Sequence, residues 1–151
     1  MRQGRYGDAM MILNDVLAID PANGMARANL GYVQLRLGSV LEAGETLRAA
    51  MGQSRDPKAA LYGNFYLGLL HSSLGDSTRA REFFLKSIEL GPNFIEAYYE
   101  LGRAHWVAGD ETAADRAWGE GNSANRFSVW GRRCAEAMRV ARAGQEPRGY
   151  S

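Results

Sequence analysis

Apolar residues recur along this chain at the three- and four-residue spacing of one helix face, as in Leu13, Val16 and Leu17 or in Phe83, Phe84, Ser87 and Ile88, with almost no strand signal. Glycines punctuate the pattern. Those at Gly38, Gly75 and Gly109 end apolar stretches, where glycine accepts the left-handed conformation that closes a helix. Asp76 and Asp110 follow two of them directly and are favoured N-caps for a next helix. The pattern predicts helices near 5–19, 25–37, 40–53, 58–74, 77–90, 94–108, 111–122 and 127–143.

The punctuation is periodic. Leu-Gly occurs at Leu30-Gly31, Leu67-Gly68 and Leu101-Gly102, and seven residues after each glycine come Gly38, Gly75 and Gly109. Five residues further stand Ala43, Ala80 and Ala114, and Gly4 with Ala9 repeats that last offset. Small residues at these places let two antiparallel helices cross closely, so the chain reads as helix, tight turn, helix, repeated.

In these residues the chain resembles the tetratricopeptide repeat family. The fullest match runs from Leu61 to Phe94, with Leu67-Gly68, Gly75, Ala80, Phe84 and Pro92. Ile95 to about Asn125 follows, with Tyr98, Leu101-Gly102, Gly109, Ala114 and Trp118. Gly24 to Pro57 matches more loosely, with Leu30-Gly31, Gly38, Ala43, Leu47 and Ala50. The resemblance covers residues 1–125, divided into a partial repeat over 1–23 and repeats over 24–60, 61–94 and 95–125. It implies an all-α, right-handed superhelical solenoid of antiparallel helix pairs.

The two ends differ. Met1 falls inside the first helix of its repeat, so the helix from Arg5 to Ile19 lacks its usual partner, and part of Ala9, Leu13, Val16 and Leu17 is expected to face nothing there. Leaving large aliphatics half exposed costs roughly 1.5–3 kcal/mol each. Residues upstream of Met1, or another chain, would cover this end. Residues 126–143 read as a capping helix with the stripe Phe127, Trp130, Cys134, Met138 and Ala141, and 144–151 as a disordered tail.

Composition removes several classes of function. With 46% hydrophobic and 23% charged residues the chain of 151 residues can bury a core as one domain. A single cysteine, Cys134, excludes an internal disulfide, and with two histidines no zinc site is expected. No apolar run approaches the ~20 residues needed to span a bilayer. Formal net charge is +1, but residues 126–151 carry six arginines against two glutamates, and residues 1–125 carry twelve basic against fifteen acidic. That asymmetry reads first as an ordinary solvated cap and second as a basic patch for an acidic partner or a second copy of the chain; without interleaved exposed aromatics it falls short of a nucleic-acid footprint. Sixteen arginines against two lysines accompany GC-rich, bacterial genomes.

No nucleophile elbow, phosphate loop or zinc-protease motif is present, so no catalytic residue and no cofactor is expected. His71 and His105 stand where the resemblance implies a packed aromatic, and Cys134 lies on an apolar stripe, so all three read as structural. The resemblance also implies a concave groove lined by the first helix of each pair. The candidate partner-binding residues carried over are Met25, Tyr32, Arg36, Tyr62, Phe65, Leu69, Glu96, Tyr99, Arg103 and Trp106. The Lys, Asn and Arg clamp by which some members hold a terminal carboxylate is replaced by Ala28, Tyr32, Tyr62, Phe65 and Tyr66. The expected function is therefore a non-enzymatic protein–protein interaction module, binding a peptide or helix of a partner as scaffold or adaptor. Two alternatives stand beside it: a dedicated secretion-type chaperone, and a structural homo-oligomer assembling through the uncovered N-terminal helix. The expected location is cytoplasmic, or periplasmic if a signal segment precedes Met1.

Overall fold

The computed structural model describes residues 2–53 and 55–147. Among them are eight helices and no strand: α1 (Arg2–Ile19), α2 (Gly24–Arg36), α3 (Val40–Gln53), α4 (Pro57–Ser73), α5 (Ser77–Leu90), α6 (Ile95–Val107), α7 (Glu111–Ala124) and α8 (Val129–Arg142). Their ends lie within three residues of the helical spans read from the sequence.

The turns explain why the helices stop where they do. Gly38, Gly75 and Gly109 have φ of 87°, 76° and 88°, and no other residue type has positive φ among the described residues. At each turn the next N–H reaches back to close the helix: Ser39 N donates to Gln34 O, Asp76 N to His71 O and Asp110 N to His105 O, all at 2.9 Å. Asp76 and Asp110 then cap α5 and α7 by accepting from Arg79 N and Ala113 N.

A fourth turn of the same kind ends α8. Gly144 has φ 77°, and Gln145 N donates to Val140 O at 2.9 Å. Residues 144–147, the start of the tail read from the sequence, follow this turn, which ties Gln145 to α8, and Pro147 is buried; residues 148–151 lie outside the described residues. Ala137, seven residues before Gly144, is buried as are Gly31, Gly68 and Gly102 seven residues before their own turns. Locally, α8 therefore has the form of a first helix of a pair.

The chain divides into two compact units, Met1–Leu70 and His71–Ser151. In the first, α2 packs against α1 and α3. Gly31 faces Leu47 so closely that a Cβ there would lie 2.6 Å from the leucine side chain, and Ala43, Leu47 and Ala50 are fully buried. Gly63 of α4 meets Met51 of α3 in the same way. On α1, Ala9, Leu13, Val16 and Leu17 are half-buried rather than bare; the exposed apolar residues are Met11, Ile12 and Ile19 on its other side.

The second unit is built on α6, which packs against α5, α7 and α8. Its core holds Ile95, Tyr99, Ala114, Trp118, Cys134 and Ala137, with Trp106, Trp130, Met138 and Ala141 at the margin. The Trp118 Nε1–H donates to Tyr99 O at 3.0 Å, so the largest buried side chain leaves no orphan donor. Gly102 makes room for that indole, and Gly121 for Cys134.

Candidate functional site

The structure separates the candidate residues into two groups. Met25, Tyr32, Arg36, Tyr62, Leu69, Glu96, Arg103 and Trp106 are half-buried, each retaining accessible surface. Phe65 and Tyr99 are not groove residues, because both are buried, at 1% and 2% exposure. The reason is register: they stand ten residues before Gly75 and Gly109, and the residues ten before Gly38 and Gly144, Ala28 and Cys134, are fully buried too. In this chain that position faces the core, and Tyr99 spends its ring on Ile95 and Trp118 and on the edge of Trp130, 5.4 Å away.

In the first unit the half-buried aromatics form a ladder. Tyr32 of α2 stacks on Tyr66 of α4 with centroids 4.7 Å apart, Tyr62 lies 5.9 Å from Tyr66, and Tyr6 of α1 meets Tyr32 edge-on at 6.4 Å. Such pairs contribute about 0.5–1.5 kcal/mol each beyond burial. The Tyr66 hydroxyl donates to Asn29 Oδ1 at 3.3 Å, and Arg36 holds its guanidinium over the Tyr6 ring at 5.8 Å. Three helices thereby present ring surface with an amide and a cation beside it, a surface suited to a chain with apolar anchors and polar backbone. Tyr6 and Asn29 are absent from the residues the sequence pointed to, and Tyr66 entered there only as a replaced clamp position. Asn29 and Tyr66 each stand nine residues before a turn glycine, a shared register that carries the signal.

In the second unit α8 adds Trp130 and Arg133 to the neighbourhood of Tyr99. Arg133 sits over the Trp130 ring at 4.4 Å. A recess of about 190 Å³ is lined by Tyr99, Arg133, Glu136, Ala137, Val140 and Glu146. Beside it in sequence lies a group the sequence reading passed over. Glu100 is 1% exposed, its Oε2 accepts from Arg103 Nη1 at 3.3 Å, and its Oε1 has no hydrogen-bond partner among the described residues. Burial pushes its carboxyl up to about 7 against the opposing pull of Arg103. The visible signal was one charge inside the apolar run Ala97-Tyr98-Tyr99-Glu100-Leu101.

The remaining chemistry is quiet. His71 stacks on Phe83 at 5.3 Å with rings nearly parallel. Burial, aided by Arg81, lowers the His105 pKa against the pull of Asp110. Burial pushes the Cys134 thiol up to about 12, which leaves no thiolate for nucleophilic work at neutral pH. Among the described residues no group of three His, Cys, Asp or Glu side chains could hold a metal ion, and no helix is long and apolar enough to cross a membrane.

Helix pairs closed by left-handed glycines and crossed at small residues define a class, the all-α helical repeat proteins. Two family models narrow it, both described as tetratricopeptide repeat, matching residues 1–63 and 66–121. The chain belongs to the tetratricopeptide repeat family, whose members are typically interaction modules without catalytic activity. Among solved structures, a crystal structure of MamA is similar with a TM-score of 0.73 at 22% identity, over 95% of this chain and 80% of that one. A tetratricopeptide repeat protein from Parabacteroides merdae is similar with a TM-score of 0.66 at 21% identity, over 95% of this chain and 56% of that one. These likenesses concern the fold. A curated relative, the photosystem I assembly protein Ycf3 of Cyanophora paradoxa, is 28% identical over 76 residues, half of this chain and 44% of the relative. The chain thus spans less than half the length of that relative.

Proposed function

We propose that this protein is an adaptor that holds a segment of a partner protein against the tyrosine ladder of α1, α2 and α4. The observation that carries this reading is the ladder itself: four half-buried tyrosines in mutual contact, flanked by Arg36 and Asn29. Tyrosine supplies wide contact area at a low cost in rotamer entropy, and its hydroxyl can bond to a peptide backbone. A partner segment with apolar or aromatic anchors and an unpaired backbone matches that chemistry. The name of the Cyanophora relative, an assembly protein, agrees with a scaffold role over the 76 residues that align.

The test is partner capture from the native host, read by mass spectrometry, with wild type against Tyr32→Ala combined with Tyr62→Ala. Both residues keep accessible surface, so the variant is expected to retain its helicity by circular dichroism and to lose the captured partner at least tenfold. Unchanged capture by a folded double variant would overturn the assignment. Phe65 and Tyr99 are unsuitable for this test, since truncating either would open the core.

A further inference from the structure

We infer that the outer stripe of α1 and the outer side of the α7–α8 corner are complementary halves of one interface, and that the protein binds a second copy of itself head to tail through them. On α1, Asp8, Ile12, Asp15 and Ile19 follow one another at helical spacing, with Met11 adjacent. All five are exposed, and Ile19 reaches 88%. With Asp20 and Arg5, also exposed, the stripe has a formal net charge of −2.

The other surface has the opposite sign and the same apolar character. Phe127 is 74% exposed and Val129 61%, at the turn into α8. Arg126 lies over the Phe127 ring at 4.9 Å, and the Arg132 guanidinium donates twice to Phe127 O, which fixes this corner. Along the outer side of α8, Arg139 pairs with Glu136 and Arg142 with Asp115, all at exposed positions. Arg126, Arg132, Arg139 and Arg142 against Glu136 and Asp115 leave a formal net charge of +2.

Each surface thus offers large exposed apolar side chains beside a net charge, and the two net charges oppose. A surface of either kind would repel its own copy, so the contact is between unlike surfaces. A contact between unlike surfaces uses one half on each copy and leaves the other for a further copy, so association continues past the dimer into a ring or an open chain. Charge framing sets the register and makes the association sensitive to salt.

The experiment is sedimentation velocity of the full chain over two decades of concentration at low and high salt. The expected result is a weight-average mass that climbs with concentration without a plateau at the dimer and falls when salt is added. Asp8→Arg with Asp15→Arg, and separately Arg132→Glu with Arg139→Glu, should each weaken association at least tenfold while helicity stays at the wild-type level. Mixing these two variants makes every contact oppositely charged again and should restore growth. Met11→Ser with Ile12→Ser, which leaves the charges alone, should weaken association without removing its salt dependence. A wild type that stays monomeric throughout, a plateau at the dimer, or a mixture that fails to regain association would overturn the proposal. The first of these outcomes would mean that something other than a second copy covers the α1 stripe.

Discussion

Glu100 shows how one side chain can set the pH response of a helical core. Its carboxyl is held near 7 in the folded chain against 4.5 for the ordinary group, so the folded state keeps a proton that the unfolded state has released. Stability is therefore present in full below about pH 4.5 and is lost as pH rises through about 7, by on the order of 3 kcal/mol for a shift of this size. Urea midpoints measured at pH 5 and pH 8 should fall across that interval in the wild type. Glu100→Gln, which stays neutral, should flatten that part of the profile and be the more stable chain at pH 8; equal slopes would show that the carboxyl ionises normally. This residue was hard to read in sequence because its chemistry comes from burial, and burial at one register position is set by packing. The same cause moved Phe65 and Tyr99 from the groove to the core, whereas Tyr32, Arg36 and Tyr62, at other registers, keep surface. Aromatic identity was legible; the direction each ring faces was not.

Helices and their turns were almost wholly legible, because they depend on local residues. A left-handed position needs glycine, an N-cap needs a short polar side chain, and both appear at fixed offsets. The turn at Gly144 escaped notice since Glu136-Ala137 replaces the Leu-Gly pair that marks the other first helices. Crossings depend on space as well as identity, and the glycines of α6 and α7 separate the two. A Cβ on Gly102 would collide with the Trp118 indole, so Gly102→Ala should destabilise by about 1–3 kcal/mol through overpacking. On Gly119 a Cβ would meet only Met138 Sδ at 3.9 Å, so Gly119→Ala should be neutral or stabilise by up to about 1 kcal/mol through helix propensity. Chemical denaturation of the two variants side by side checks both signs.

At the scale of the whole molecule, stacked helix pairs hold one another mainly through neighbours. Trp118 fills the core of the second unit, and truncating such a side chain costs roughly 3–5 kcal/mol. Trp118→Ala should therefore lower hydrogen-exchange protection through α6, α7 and α8 while α2 and α3 keep theirs. A uniform loss over all helices would show a single cooperative block instead. The recurring turn has a last consequence, and it concerns how such a chain changes length. Four helices end on the same backbone bond, at Gly38, Gly75, Gly109 and Gly144, so each ending is an interchangeable joint. Copying the stretch from Asp76 to Gly109, 34 residues, and inserting it after Gly109 joins a glycine to the aspartate that already follows glycine there. Such an insertion breaks no cap and no turn. For a gene encoding this chain, unequal recombination between these stretches is a short route to a longer array of helix pairs.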